Sequence, residues 1–390
     1  MSPVVLDMDR IIDDRRTRII VCCGSGGVGK TTAAASIGLR AAERGRQACV
    51  LTVDPARRLA QSMGLTSLDN TPRLVEGVDT ANGGSLHAMM LDMKRTFDEI
   101  VEAHADPDRA AQILANPFYQ SLSSSFAGTQ EYMAMEKLGQ LRHAEEWDLI
   151  VVDTPPSRSA LDFLDAPQRL GRFLDGRLIR LLTLPAKAGM SYMKVLNAGF
   201  SMMTSALTKI LGAQVLKDAQ TFVTALDTMF GGFRERAEGT YRLLQAPGTA
   251  FLVVAAPEPD ALREASYFVE RLDAERMPLA GLILNRVHKS PAGRLSAARS
   301  LAAAETLDMQ DRPNGPNGTD VSSPRYSVAA AALRMHAERM QLSKRESRLA
   351  EHFTSAHPAI PVAEVVAQPE DVHDLEGLRV IGKILSRPGS

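Results

Sequence analysis

The sequence predicts an α/β fold, a doubly wound and mostly parallel sheet with an inserted helical subdomain. Three observations predict it. Short apolar runs recur along the chain, at 18–23 (RIIVCC), 48–53 (ACVLTV), 148–153 (DLIVVD), 251–256 (FLVVAA) and 279–285 (LAGLILN). Such runs suit parallel strands whose two faces are both covered by helices. Stretches of helical pattern separate the runs, as in successive βαβ units. A glycine-rich loop also joins the first run directly to an alanine-rich helix.

Taken in order, RIIVCC reads as the first strand, and the helix after the loop runs from about Lys30 to Arg44, stopped at Gly45. ACVLTV is the second strand and ends at Asp54. Residues 96–145 read as helical with a break at Asn116-Pro117, and DLIVVD follows as a strand. A second helical stretch covers about 161–238, broken at Pro167, Pro185 and Gly231-Gly232. FLVVAA and LAGLILN flank a charged helix at 259–275. The segment 306–324, containing NGPNG and few large apolar residues, reads as a mobile loop. A helix over 326–352, a short element near 359–362 and a closing helix near 373–386 complete the chain. The predicted organisation is a nucleotide-binding core from 1–95, 146–160, 246–300 and 350–390, a helical subdomain from 96–145 and 161–245, and the 326–352 helix packed on the core.

Residues 24–31 read GSGGVGKT and match the phosphate-binding pattern G-x-x-x-x-G-K-[ST] in full. A chance glycine-rich turn would lack the strand before it and the helix after it. Gly24, Gly26, Gly27 and Gly29 let backbone N–H groups face phosphate oxygens. Ser25, Val28 and Thr32 complete the candidate nucleotide site. The start of the helix adds its positive dipole end. Lys30 is expected on the β- and γ-phosphates and Thr31 on Mg²⁺ through its hydroxyl. The expected ligands are therefore ATP and Mg²⁺.

Two carboxylates end strands on the same side. In doubly wound sheets ligands lie beyond the carboxyl ends of the strands, so Asp54 and Asp153 both point to the nucleotide. Asp153, after four apolar residues, is the candidate for holding Mg²⁺ through a water. Asp54 is the candidate for orienting the attacking water, with a second water-mediated tie to the metal. The plainer alternative for either is a turn or N-cap aspartate.

With these residues in place the sequence resembles the arsenite-pump ATPase and tail-anchored-protein-targeting ATPase family. The resemblance rests on GSGGVGKTT, DPARRLAQSMG (54–64), DTPPSRSALDFL (153–164), VVAAPEPDALREA (253–265), LILNRV (282–287) and IPVAEV (360–365). It covers most of the chain and is most like the actinobacterial anion-transporting branch. It implies ATP hydrolysis within a dimer, Asp54 as the water-positioning residue of a first switch and Asp153 in a second. It also implies that Asn285, with Arg286 beside it, and Pro361 and Val362 contact the adenine.

Departures from the family pattern carry expectations of their own. The family's second lysine, after the first loop glycine, is Ser25 here, so either a homodimer hydrolyses slowly or the partner is a paralogous ATPase that supplies the lysine. The three cysteines, Cys22, Cys23 and Cys49, fall in strands rather than in a CxxC pair or on the helical region, which argues against arsenite sensing. SRS at 157–159 replaces the more usual TGH.

Met193, Leu196, Phe200, Met203, Leu207 and Ile210 form a stripe at helical spacing. It either packs inside the helical subdomain or forms a groove for a hydrophobic client or membrane protein, the latter being what the family suggests.

Composition bounds the rest. The chain has 390 residues, 45% of them hydrophobic and 23% charged, with a net charge of −1, so no bulk attraction to nucleic acid or anionic membrane is expected. Basic residues are not interleaved with aromatics, against nucleic-acid binding. No signal peptide or membrane span is apparent, which predicts a cytoplasmic protein, with peripheral membrane association left open. A GTPase-type N-K-x-D pattern is absent where LILNRV stands, favouring ATP. A small-molecule kinase or ligase with the same loop is the remaining alternative.

Overall fold

Isoleucine, valine and cysteine fill the strand that leads into the glycine-rich loop, and every one of them is buried. The structure, a computed structural model, describes residues 4–54, 58–117, 119–120, 129–155, 235–236, 238–310 and 324–386. After a short helix α1 (Met8–Asp13) comes β1 (Ile19–Cys23), then α2 (Lys30–Glu43) and β2 (Gln47–Thr52). Next are α3 (Arg58–Ser62), β3 (Arg73–Leu74), β4 (Ser85–Met90), α4 (Met93–His104), α5 (Pro107–Leu114), α6 (Thr129–His143) and β5 (Leu149–Asp153). The chain then forms β6 (Thr249–Ala255), α7 (Pro259–Ala274), β7 (Leu279–Val287), α8 (Ala297–Gln310), α9 (Pro324–Ala356), β8 (Val362–Val366) and α10 (Leu375–Leu385).

The strands form one eight-stranded sheet in the order β3-β4-β2-β5-β1-β6-β7-β8, parallel except for the β3–β4 pair. β1 lies between β5 and β6, with Cys22 opposite Asp153 on one side and Leu252 on the other. Alternate residues of β1 feed two separate cores. Ile19, Val21 and Cys23 join a layer with α4, α5, α6 and α7, while Ile20 and Cys22 join one with α1, α2 and α10. This is the two-sided burial that the uninterrupted apolar runs imply. The three cysteines are free and buried, and burial pushes the thiols of Cys23 and Cys49 up to about 12, so they behave as small apolar groups.

At the amino end of the sheet Arg46 is 1% exposed. It donates to Asp148 Oδ1 at 2.6 Å, to the carbonyls of Ile12 at 2.6 Å and Thr17 at 2.7 Å, and to the carbonyl of Asp148. One guanidinium thus ties α1, the start of β1 and the start of β5, using the planar fork that lysine lacks.

Several expectations change. β4 and β3 extend the sheet beyond the strands read from the sequence. The helical stretch at 96–145 begins earlier, at Met93, capped by the Asp92 carboxylate on the Arg95 N–H, and its first break falls at Asp106-Pro107. Its helices cover one face of the sheet, contributing Phe97, Ile100, Ile113 and Met133 to that core. Of the loop expected over 306–324, Thr306 to Gln310 contain no breaker and continue α8, where Asp308 pairs with Arg334 of α9, and Pro324 opens α9, while 311–323 lie outside the described residues. α9 is longer than the 326–352 expected. Near residue 360 the chain forms the strand β8. The stripe from Met193 to Ile210, the rest of 161–234 and the serines of 157–159 lie outside the described residues. Among the described residues no helix is long and apolar enough to cross a membrane.

Candidate functional site

The loop between β1 and α2 lies at the carboxyl edge of the sheet, where both neighbouring strands of β1 bring chemistry to it. Gly29 is the N-cap of α2 in a left-handed conformation (φ 95°), and a Cβ there would lie 2.2 Å from Asn285 Nδ2. Gly24 has φ 151°, and a Cβ would lie 2.1 Å from the carbonyl oxygen of Val254 on β6. These two glycines are required by close packing against β6 and β7 as much as by room for phosphate. Asn285 donates from Nδ2 to the carbonyl of Val28 at 2.8 Å, so the end of β7 holds the loop from behind.

Lys30 is buried, and its Nζ donates to the carbonyl of Ser25 at 2.7 Å. Burial lowers its pKa, partly countered by Asp153. The Ser25 hydroxyl is buried without a partner. Gly26 and Gly27 are exposed at the loop's crest, and Thr31 and Thr32 are half-buried in the first turn of α2.

Asp153 collects the polar groups of three elements. Its Oδ2 accepts from Thr31 Oγ1 at 2.8 Å and from Thr52 Oγ1, at the end of β2, at 2.9 Å. Its Oδ1 is buried and has no partner. Burial raises its pKa from 3.8 to about 6, against the two hydroxyl donors and Lys30, which lower it. Thr52 Oγ1 also accepts from the N–H of Asp54 at 3.2 Å. Asp54 is half-buried beside this cluster, and Pro55 to Arg57 lie outside the described residues. Thr154 donates through Oγ1 to the carbonyl of Cys22 at 2.8 Å, closing the turn after β5 onto β1.

A hydroxyl, a buried carboxylate with one orphaned oxygen and a second carboxylate nearby form a hard-oxygen donor set of the kind Mg²⁺ takes. The residues fit that ion. Thr31 would be its direct protein ligand, with Asp153 and Asp54 reaching it through water.

The base-side expectations divide. Asn285 and Arg286 stand at the carboxyl end of β7 next to the loop, and Arg286 takes a left-handed φ of 61° at an irregularity in the β7–β8 pairing. Pro361 and Val362 stand elsewhere. Val362 opens β8, paired with Leu282 of β7, and its N–H donates to the carbonyl of Val4 at 2.8 Å. The Pro361 carbonyl accepts from the N–H of Leu282 at 2.8 Å. Both are engaged in sheet pairing on β8, three strands across from β1 and about 10 Å along β7 before Asn285, so they stand in a strand and not in the loop that follows it. The segment that emerges at the nucleotide edge is 367–371 (AQPED), whose Ala367 N–H donates to the carbonyl of Val287 at 3.0 Å. The motif IPVAEV overlaps the strand VAEVV and not the segment that follows it. Thr52 was also missed. A threonine ending a strand is ordinary in sequence, and only the fold places it on Asp153.

Beyond Asn285 and Arg286 the chain is held by α9. Glu346 accepts from the N–H of His288 at 2.8 Å and from its Nδ1 at 2.7 Å. His336 pairs with Ser290 Oγ at 3.2 Å and the Leu295 carbonyl at 2.9 Å, and Arg339 donates to the Lys289 carbonyl at 3.0 Å.

Comparison with known proteins matches residues 17–299 to a family described as anion-transporting ATPase. A protein named ATPase GET3 from Malassezia globosa is 29% identical over 167 residues, 43% of this chain and 47% of that protein. ATPase GET3 from Ajellomyces dermatitidis is 24% identical over 283 residues, 72% of this chain and 76% of that protein. An ATPase ASNA1 homolog from Cryptosporidium parvum is 26% identical over 297 residues, 75% of this chain and 72% of that protein. The match thus spans about half the length of the first relative and about three quarters of the other two.

Proposed function

The chain belongs to the anion-transporting ATPase family, and from that premise we propose that it is a Mg²⁺-dependent ATPase whose nucleotide cycle opens and closes a dimer. The observation that carries this is Asp153, which joins the helix after the phosphate loop (Thr31) to the end of the next strand (Thr52) and keeps one oxygen without a partner. Mg²⁺, when bound, would neutralise phosphate charge and keep Asp153 ionised. Lys30 would exchange the Ser25 carbonyl for the β- and γ-phosphates. Backbone N–H groups from Gly26 to Thr32 would surround the phosphates. Asp54 would orient the attacking water, and its movement on loss of the γ-phosphate would pass through Thr52 to β2 and through residues 54–57 to α3. Asn285, Arg286 and the 367–371 segment would border the base. The energy would be coupled to a hydrophobic client or a membrane partner, with the stripe from Met193 to Ile210 as the candidate surface.

A second reading concerns the partner. Ser25 is short, and its hydroxyl is turned into the protein, so no cation extends from this position toward a neighbouring nucleotide. Charge supplied across an interface is worth orders of magnitude in phosphoryl transfer. This favours a weakly hydrolysing subunit that works beside a paralogue carrying the lysine.

Mg²⁺-dependent ATP hydrolysis by the purified chain, with Lys30→Ala and Asp54→Asn as controls, tests both readings. Turnover abolished by each substitution supports a self-sufficient ATPase. Tight ATP binding with slow turnover, rising at least tenfold in Ser25→Lys, supports the heterodimer. Absence of nucleotide binding refutes both.

A further inference from the structure

A threonine has two heavy atoms on its Cβ, so its first side-chain torsion is stiff and its hydroxyl keeps one direction. Thr52 ends β2 as a buried residue, paired with Asp153 of β5. A hydroxyl has a single hydrogen to donate. Thr52 gives it to Asp153 Oδ2 at 2.9 Å, so lone pairs remain for the N–H of Asp54, which donates at 3.2 Å. The backbone around the hydroxyl is held as well. The carbonyl of Thr52 accepts from the N–H of Leu91 at 2.9 Å, and the N–H of Val53 donates to the carbonyl of Asp153 at 3.0 Å.

The two oxygens of Asp153 differ in their surroundings. Thr31 of α2 and Thr52 of β2 both donate to Oδ2, whereas Oδ1 is buried and accepts from no described residue. The last torsion of an aspartate is broad, so a single donor leaves the carboxylate free to turn. Two donors on the same oxygen fix it. Thr31 is the hydroxyl that would coordinate Mg²⁺, which leaves Thr52 as the donor with no second duty at the metal. The same hydroxyl meets the backbone where the residues from Asp54 onward leave the sheet, so any displacement of Asp153 is felt at the Asp54 amide.

We infer that Thr52 is a positioning residue for ATP hydrolysis: it turns the Asp153 carboxylate so that Oδ1 is the oxygen left for the metal's water, and it ties the backbone of Asp54 to that same carboxylate. The inference rests on the ATPase reading above and adds to it the residue that makes the two aspartates one unit. Valine in its place keeps the shape and the strand preference and removes both bonds. Serine keeps both bonds on a freer torsion.

ADP binding by the full chain, measured calorimetrically with Mg²⁺ and in EDTA, separates this role from packing. Mg²⁺ should tighten ADP binding to the parent. Thr52→Val should lose about tenfold of that gain, while its binding in EDTA stays within about twofold of the parent. Thr52→Ser should restore most of the gain. In Asp153→Asn the gain is already lost, so adding Thr52→Val should change it by less than about twofold. Thr52→Ala also removes the hydroxyl and should repeat the valine result, which keeps the test open if the valine variant does not fold. A second readout needs no ligand. Hydrogen exchange of the Asp54 amide in the nucleotide-free protein should quicken about tenfold in Thr52→Val and stay at the parent rate in Thr52→Ser. Equal tightening by Mg²⁺ in the parent and Thr52→Val, an equal loss with Mg²⁺ and in EDTA, a serine variant no better than valine, or Asp54 exchange indifferent to the hydroxyl would overturn the inference and leave the ATPase reading standing. A parent chain that binds no ADP would overturn both.

Discussion

Replacing Asp153 by asparagine should stabilise the protein when neither nucleotide nor Mg²⁺ is present. The carboxylate is fully buried with its pKa raised from 3.8 to about 6. At 1.36 kcal/mol per tenfold change in proton affinity, keeping it ionised at neutral pH costs about 3 kcal/mol. The sign follows from the direction of the change. The folded state binds the proton more tightly than the unfolded chain, so this contribution is fully present below about pH 4 and is lost as pH rises through about 6. Asparagine removes that dependence. Its carbonyl oxygen can occupy the Oδ2 position and keep both hydroxyl bonds, from Thr31 and Thr52. Its amide then fills the place of Oδ1, which already lacks a partner, at a cost of about 1–2 kcal/mol. The net expectation is a gain of about 1–2 kcal/mol at pH 7.5. About half of the pH-dependent difference should disappear at pH 5. Urea unfolding in a chelator at the two pH values measures it. A variant less stable than the parent at pH 7.5, or a difference that does not change with pH, would refute the reasoning. The same variant should lose Mg²⁺-dependent hydrolysis.

Gly29→Ala should destabilise the nucleotide-free protein by about 2–3 kcal/mol, from left-handed strain plus the loss of the Asn285 bond to Val28. Gly27→Ala, with nothing within 4 Å of the new carbon, should cost about 1 kcal/mol less, and thermal unfolding of the pair decides between the two effects. Thr52→Val removes one of the two hydroxyl donors to Asp153 and should cost about 1–3 kcal/mol, more at pH 7.5 than at pH 5 because the bond favours the carboxylate. Arg46→Met leaves the buried carbonyls without their donor and Asp148 with Arg15 alone, and should cost about 3–5 kcal/mol in urea unfolding; a loss under 1 kcal/mol would show that water replaces it.

The central strands were legible because burial on both faces leaves no polar alternation, so β1, β5 and β6 stand out as uninterrupted apolar runs. The phosphate loop was legible because its glycines and lysine are local in sequence. β4 was not, since SLHAMM follows a glycine pair and carries a histidine that disguises its pairing with β2. The Asp153 cluster was half legible. A strand-ending aspartate signals a ligand, but nothing local shows that Thr52, some hundred residues earlier, donates to it. Pro361 and Val362 show the limit of motif alignment without register, because the motif lies at the start of strand β8 while the segment that leaves the sheet is 367–371.

The clamp that α9 places on residues 288–295 also gives that helix a mechanical advantage. The stretch from Arg339 back to Pro324 is about 22 Å long at helical rise, and it extends beyond the contacts to Lys289 and Ser290. A tilt of about 5° pivoting on those contacts would swing the Pro324 end by about 2 Å. Because Arg334 ties this arm to Asp308 of α8, the two helices would move together as a lever whose short arm rests on the strand end behind the phosphate loop. A shift of a few tenths of an ångström beside Asn285 would thereby be enlarged at the far tip of the helix pair.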